Sequence, residues 1–238
     1  MTNAAHSSLP KGVGNVVITG GASGLGEAVA VAVRDAGGRP LVIDKDAPRI
    51  DCHHVQTDIS DTATVGPAVD ELARAAGGRV DAVFTAAGID VCGPLASVSR
   101  QDWERVVSVD LLGTAAAVRA CLPYLEKAEG RVVTCSSTLG IKAVPDATAY
   151  CAAKFGVVGF TRALAAETAG RIGVTLLIPS GMHTAFFDDR DEQYRPPPDA
   201  KLNRPEDVAD SVMFVLRQPP GCEIRELVVC ASEESSWP

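Results

Sequence analysis

The apolar run Val16-Val17-Ile18 ends in Thr19-Gly20-Gly21-Ala22-Ser23-Gly24-Leu25-Gly26, and residues 25–36 then read as an Ala/Val-rich helix stopped by Gly37-Gly38. Leu41-Val42-Ile43 follows as a second buried strand. Strand, glycine turn, helix, strand is the βαβ unit of a parallel sheet, because parallel neighbours need a crossover.

The alternation continues. Helices are expected near residues 62–76, 101–127 and 148–170, and another starting at Pro205, a residue suited to a first helical turn. Strands are expected at 80–85, 131–135, 174–178 and 227–230. Between Asp44 and Asp58 there is little room for a helix, so one crossover is expected to be abbreviated. The expected fold is α/β: a single-domain Rossmann fold, a doubly wound, mostly parallel sheet of about seven strands flanked by helices. Residues 1–12 read as a disordered lead-in and 13–238 as one domain. Residues 184–203, with two phenylalanines, five acidic residues and Pro196-Pro197-Pro198 but no periodicity, read as a mobile substrate loop or lid.

Length and composition narrow the function. At 238 residues and 46% apolar content the chain can bury one proper core. Its 22 Lys and Arg against 30 Asp and Glu argue against an electrostatic grip on nucleic acid or an anionic membrane. Residues 1–10 lack the apolar centre of a signal peptide, and no eighteen apolar residues run together, so a cytoplasmic, soluble protein is expected. Seven cysteines, odd in number and without CxxC spacing, read as reduced thiols packed as small apolar residues. His53-His54 lacks a third ligand at helical or hairpin spacing, so no metal is expected.

The glycine turn has a chemical reading as well as a packing one. Gly20, Gly24 and Gly26 let backbone approach a pyrophosphate, whose charge the start of the helix stabilises. Asp44 ends the second strand twenty-four residues after Gly20, where a carboxylate would accept hydrogen bonds from an adenosine ribose. The same carboxylate would repel a 2′-phosphate, which favours NAD over NADP; adjacent Lys45 pulls the other way. Tyr150 and Lys154, four apart on a predicted helix, share a face. A phenol is a poor base at neutral pH, and a neighbouring ammonium is expected to move it towards the useful range. Ser137 ends a predicted strand at the sheet edge that carries the glycine turn, where its hydroxyl can bond a substrate oxygen.

With these residues the chain resembles the short-chain dehydrogenase/reductase family, of the compact kind without an added substrate domain. The resemblance runs from Val16 to about Cys230. It rests on the TGxxxGxG turn, Thr57-Asp58-Ile59, Ala87-Gly88, Ser136-Ser137, Tyr150 to Lys154 with the following Gly156-Val157-Val158-Gly159-Phe160 and Glu167, and Pro179 with Thr184. It implies an NAD-dependent alcohol dehydrogenase or ketoreductase acting on a secondary alcohol or its ketone. Tyr150 would be the general acid/base, Ser137 would polarise the substrate oxygen, and Lys154 would hold the nicotinamide ribose and lower the Tyr150 pKa. Ala22, Ser23 and Leu25 would share the phosphate turn with its glycines. Asp58, Ile59, Ala86, Ala87, Gly88 and Val109 would flank the adenosine, and Pro179, Ser180, Gly181, Met182 and Thr184 would cover the nicotinamide. Substrate contacts would come from loops near Asp90-Val91-Cys92, residues 139–144, Ser180-Gly181 and Phe186-Phe187. A homodimer or homotetramer is expected, since the family pairs its two long helices between subunits.

Three departures from the family pattern stand out. Asp110 replaces the usual Asn of the long helix, where an amide serves a proton relay to the lysine; an ionised Asp accepts but cannot donate. Thr85-Ala86-Ala87-Gly88 lacks the usual polar side chains, and Ser180 replaces the usual Gly of the turn after the strand, which either tightens that turn or adds a hydroxyl to the pocket. The alternative function is a catalytically weak NAD(H)-binding sensor or scaffold of the same fold; a non-redox member using its cofactor for dehydration or epimerisation is a third.

Overall fold

A computed structural model describes residues 12–233. The expected lead-in lies outside the described residues except for Gly12.

Seven parallel strands form one sheet: β1 (Asn15–Thr19), β2 (Arg39–Asp44), β3 (His53–Gln56), β4 (Ala82–Thr85), β5 (Arg131–Cys135), β6 (Gly173–Pro179) and β7 (Glu226–Val229). Their spatial order is β3-β2-β1-β4-β5-β6-β7. The chain therefore runs outward from β1 to one edge, returns, and builds the other half from β4. The crevice at that reversal, between the ends of β1 and β4, is where open α/β sheets take their ligands.

The helices are α1 (Gly24–Asp35), α2 (Thr62–Ala75), α3 (Arg100–Val107), α4 (Thr114–Ala128), α5 (Thr148–Glu167) and α6 (Pro205–Leu216). Strands covered on both faces read as continuous apolar runs, and side chains alternate between the two cores. Val17, Leu41, Val83 and Val132 point to the layer of α2 and α4, where Val69, Leu72, Val118 and Leu125 meet them. Val16, Ile18, Val42, Phe84 and Val133 point to the layer of α1 and α6, against Val29, Val33, Val208 and Val212.

Three elements differ from the sequence expectation. β3 escapes it because an edge strand with only one half-buried residue carries polar side chains, His53 and His54 among them. β4 starts at Ala82 rather than at Val80. The long helix is interrupted by a π-helical turn, Ser108–Gly113, so that α3 and α4 are two α-helical pieces of one rod. The whole rod, Arg100–Ala128, is long and apolar enough to cross a membrane, yet α4 lays its apolar face against α2 and the sheet as a core helix does.

Candidate active site

The glycine turn follows directly from β1. Gly20 has φ +71°, a conformation that side chains disfavour, and a Cβ there would lie 2.7 Å from the Ala87 backbone. Only glycine lets the turn after β1 touch the loop after β4. The Ala22 N–H donates to Asp44 Oδ2 at 2.9 Å, so the residue ending β2 also braces the turn, while the Asp46 N–H donates to Oδ1 at 3.0 Å. Each oxygen retains a lone pair for a further donor. Lys45 Nζ lies 3.7 Å from Asp46, an exposed contact of little strength. Ser23 caps α1 in extended conformation without a side-chain cap bond, leaving its exposed hydroxyl beside the free N–H groups of the helix start. Leu25 anchors α1 in the core. The turn, its N–H groups and the adjacent carboxylate thus fit the pyrophosphate and ribose of a dinucleotide.

The far side of the crevice is built by the segments after β3 and β4. Asp58 Oδ1 accepts from the Ser60 N–H at 2.9 Å, and that backbone bond outweighs slight burial to hold its carboxyl below the usual range. Ile59 is buried in the same core as Val109 and fits under Gly113. Ala86 and Ala87 line the meeting of the two loops, with the Ala86 N–H donating to the Thr19 carbonyl at 3.1 Å.

Ser137, Tyr150, Lys154 and Asp110 converge beyond Gly88. Ser137 leaves β5 in extended conformation, accepts from the Leu139 N–H at 3.1 Å and hydrogen-bonds the Tyr150 phenol. Neighbouring Ser136 donates to the Lys154 carbonyl at 2.9 Å and so ties β5 to α5. Lys154 Nζ donates to the Cys135 carbonyl at 3.2 Å, lies 5.4 Å from the centre of the Tyr150 ring, and stands 3.2 Å from Asp110 Oδ2. Asp110 enters from the π-helical turn, fully buried, and its Oδ1 accepts from the Ile89 N–H at 2.8 Å. Gly88 makes room for the ion pair, since a Cβ there would come 3.2 Å from Asp110 Oδ2 and 3.3 Å from Lys154 Nζ.

The electrostatics correct one expectation. Lys154 does favour the Tyr150 phenolate, as does Ser137, but burial acts more strongly in the other direction, Asp110 adds to it, and the phenol is pushed up to about 12. Burial alone would depress Lys154; the Asp110 carboxylate, then Tyr150 and Cys135, outweigh it and hold the ammonium above its ordinary value. Burial also raises the Asp110 carboxyl, opposed by Lys154 and by the Ile89 N–H.

The segment after β6 closes the crevice. Pro179 ends β6; Gly181 gives Leu202 room, and Met182 bridges to Asn203. The Ser180 hydroxyl accepts from Asn203 Nδ2 and from the Ala231 N–H, each at 3.4 Å. Of the two expectations for Ser180, the structure favours a braced turn over a pocket hydroxyl. Thr184 reaches across to the glycine turn, its methyl carbon 3.4 Å from where a Gly24 Cβ would stand.

Part of the segment expected as a mobile lid, residues 184–203, lies against the site. Phe186 packs on Tyr150 with ring centres 5.8 Å apart, Arg190 pairs with Asp90 at 2.8 Å, and the Tyr194 hydroxyl donates to Asp146 at 3.1 Å. The sequence reading missed Arg190, because one arginine in an aperiodic loop gives no signal, and missed that Asp110 pairs with Lys154, although their charges were legible.

Comparison with known proteins agrees with this architecture. The family model described as short chain dehydrogenase matches residues 14–195. The chain is 31% identical to D-threitol dehydrogenase of Mycolicibacterium smegmatis over 84% of each chain. It is 34% identical to 2-dehydro-3-deoxy-L-rhamnonate dehydrogenase (NAD(+)) of a Sphingomonas strain, covering 72% of this chain and 73% of that one. The solved structure of an alcohol dehydrogenase from the archaeon Thermococcus sibiricus, complexed with 5-hydroxy-NADP, shares the fold with a TM-score of 0.83 at 21% identity, covering 93% and 97% of the two chains. With the parallel sheet, the glycine turn and the family match in agreement, the chain belongs to the short-chain dehydrogenase/reductase family of oxidoreductases.

Proposed function

We propose that the protein is an NAD(H)-dependent oxidoreductase that interconverts a secondary alcohol and its ketone, with Ser137, Tyr150 and Lys154 as its reacting and binding groups. The observation that carries this reading is the convergence of the Tyr150 phenol, the Ser137 hydroxyl and the buried Lys154 ammonium at the carboxyl ends of the strands. The nicotinamide, when bound, supplies the hydride acceptor or donor.

The chain's own residues do the rest. Ser137 donates a hydrogen bond to the substrate oxygen and holds it beside Tyr150. Tyr150 gives its phenolic proton to that oxygen as the ketone is reduced, and takes it back as the alcohol is oxidised. Lys154 favours the phenolate and offers its ammonium to ribose hydroxyls. Asp110, bound to the Ile89 N–H, fixes Lys154 and adds negative charge that keeps the phenol protonated. A protonated phenol suits ketone reduction at neutral pH. Phe186, packed on the Tyr150 ring, would help to keep water from the phenol.

NAD is favoured over NADP because the Asp44 carboxylate, beside the glycine turn, would repel a 2′-phosphate. Small-molecule alcohols and ketones are the partners of this site. A homodimer or homotetramer is supported by Leu112 and Phe155, which expose apolar surface on the long-helix rod and on α5.

The Asp110–Lys154 pair also favours a second reading, a slow NAD(H)-binding sensor, since it spends part of the lysine's charge away from Tyr150. One experiment separates the two: NADH absorbance is followed with both cofactors over a panel of alcohols and ketones. Turnover of a secondary alcohol or ketone supports the enzyme; tight NADH binding with no turnover across the panel supports the sensor.

A further inference from the structure

Asp90 and Arg190 form a buried pair that the chemistry above does not use. Asp90 lies on the loop leaving β4, two residues past Gly88, and its side chain is 2% exposed. Its Oδ2 takes Arg190 Nη2 at 2.8 Å and the Cys92 thiol at 3.3 Å. Its Oδ1, equally buried, has no hydrogen-bond partner among the described residues. The Arg190 guanidinium carbon lies 5.1 Å from the ring centre of Phe186 and 4.7 Å from that of Phe187, and Nη1 reaches the Tyr194 carbonyl at 3.4 Å. Arg190 Nε is likewise buried and unpartnered among the described residues. Phe186 is also the ring that packs on Tyr150, so one aromatic side chain touches both the pair and the proposed acid/base.

Arginine and carboxylate commonly meet through two parallel hydrogen bonds. This pair makes one and leaves a buried donor and a buried acceptor over, each unfavourable while unmet. The leftovers define what completes them. A carboxylate would satisfy Nε but bring a second negative charge to Asp90. An ammonium would satisfy Oδ1 but face the guanidinium. An apolar substituent would leave both unmet. A hydroxyl donates and accepts at one atom and is neutral.

We propose that Asp90 and Arg190 are a substrate subsite for a second hydroxyl group, so that the protein acts on hydroxyketones and polyols in preference to simple ketones and alcohols. This rests on the reading of Tyr150 as the acid/base at the site. The hydroxyl donates to Asp90 Oδ1 and accepts from Arg190 Nε, which also fixes which carbon of the substrate faces Tyr150.

The test compares 2-butanone with its 1-, 3- and 4-hydroxy derivatives under saturating NADH, in the wild type and in Asp90→Leu and Arg190→Met. At least one hydroxyketone is expected to exceed 2-butanone by about 100-fold in kcat/KM, since sites built to bond a hydroxyl reject analogues without it. Both variants are expected to lose most of that ratio, chiefly through a higher KM for the hydroxyketone. No preference in the wild type, or a preference that survives in both variants, overturns the subsite. If Asp90→Leu fails to fold by thermal melting, Asp90→Asn replaces it, with a smaller loss of the ratio expected and an unchanged ratio counting against the proposal. Failure of the oxidoreductase reading looks different: no ketone is turned over at all. The subsite is then decided by calorimetric titration of the same ketones into wild type and variant with NADH present. Tighter binding of a hydroxyketone that the variant loses sustains the subsite, and equal or absent binding overturns it.

Discussion

Lys154 Nζ stands 3.2 Å from Asp110 Oδ2 with both side chains withdrawn from solvent, and the same ammonium lies 5.4 Å from the centre of the Tyr150 ring. One cation is therefore shared between a carboxylate and a phenol. Whatever strengthens the first contact weakens the hold on phenolate.

Asp110→Asn should lower the Tyr150 pKa, because it removes a charge that raises it and frees Lys154 for the phenol. Alcohol oxidation needs phenolate and gains rate as pH rises through that pKa; ketone reduction needs the phenol and loses rate there. Both limbs should move to lower pH by about one unit, a typical effect of a near charge. Full pH profiles in the two directions check this, and unmoved limbs would show that Asp110 does not set the phenol.

Asp110→Leu should be much worse than the amide. It strands a buried ammonium and leaves the Ile89 N–H unbonded, a loss of about 3–5 kcal/mol by analogy with broken buried pairs. Urea unfolding of the two variants beside the wild type gives the comparison.

Tyr150→Phe keeps the ring that Phe186 packs on but removes the transferable proton. Its kcat should fall by about a hundredfold to ten-thousandfold, the range for a lost acid/base group, while NADH affinity stays within about threefold. Stopped-flow hydride transfer and fluorescence titration of NADH measure the two effects. Wild-type turnover would remove Tyr150 from the mechanism.

Gly26→Ala places a methyl group against the Gly20 carbonyl, with no flexible side chain to give way. The turn must open, so NADH should bind at least about tenfold more weakly, as expected for displaced backbone donors. Retained affinity would show that the turn does not carry the cofactor.

Asp44→Ala removes a carboxylate beside the expected ribose and a brace of the glycine turn together. The NAD over NADP ratio of kcat/KM should fall by roughly tenfold or more, with loss of NAD binding and loss of phosphate repulsion both contributing. The ratio measured with one substrate and two cofactors settles it.

The βαβ start, the glycine turn and the Tyr150–Lys154 spacing were legible in the chain because each depends on local pattern: apolar runs, a glycine-rich break, a repeat of four. β3 was not, since an edge strand has no buried run to announce it. The fate of Tyr150 was misjudged for a related reason. A sequence shows which charge can stand four residues away, but not how much solvent the fold removes, and here burial outweighs the charge. Arg190 became visible only when the loop was seen folded onto Asp90, a hundred residues away in the chain.

The π-helical turn at Asp110 has a geometrical consequence for the rod that carries it. With regular α-helical advance, Val106 and Ala117 would lie within about 20° of each other around the axis. They serve different neighbours: Val106 joins Tyr150 and Ala149 beside Phe186, whereas Ala117 sits in the core with α2 and the sheet. The widened turn sets the second half of the rod back by roughly a quarter revolution relative to the first, enough to send the two stripes to different places. Asp110 lies at that change of phase. A single-residue deletion within Ser108–Gly113 that restored regular pitch would thus force the rod to choose between its place in the core and its place beside the tyrosine.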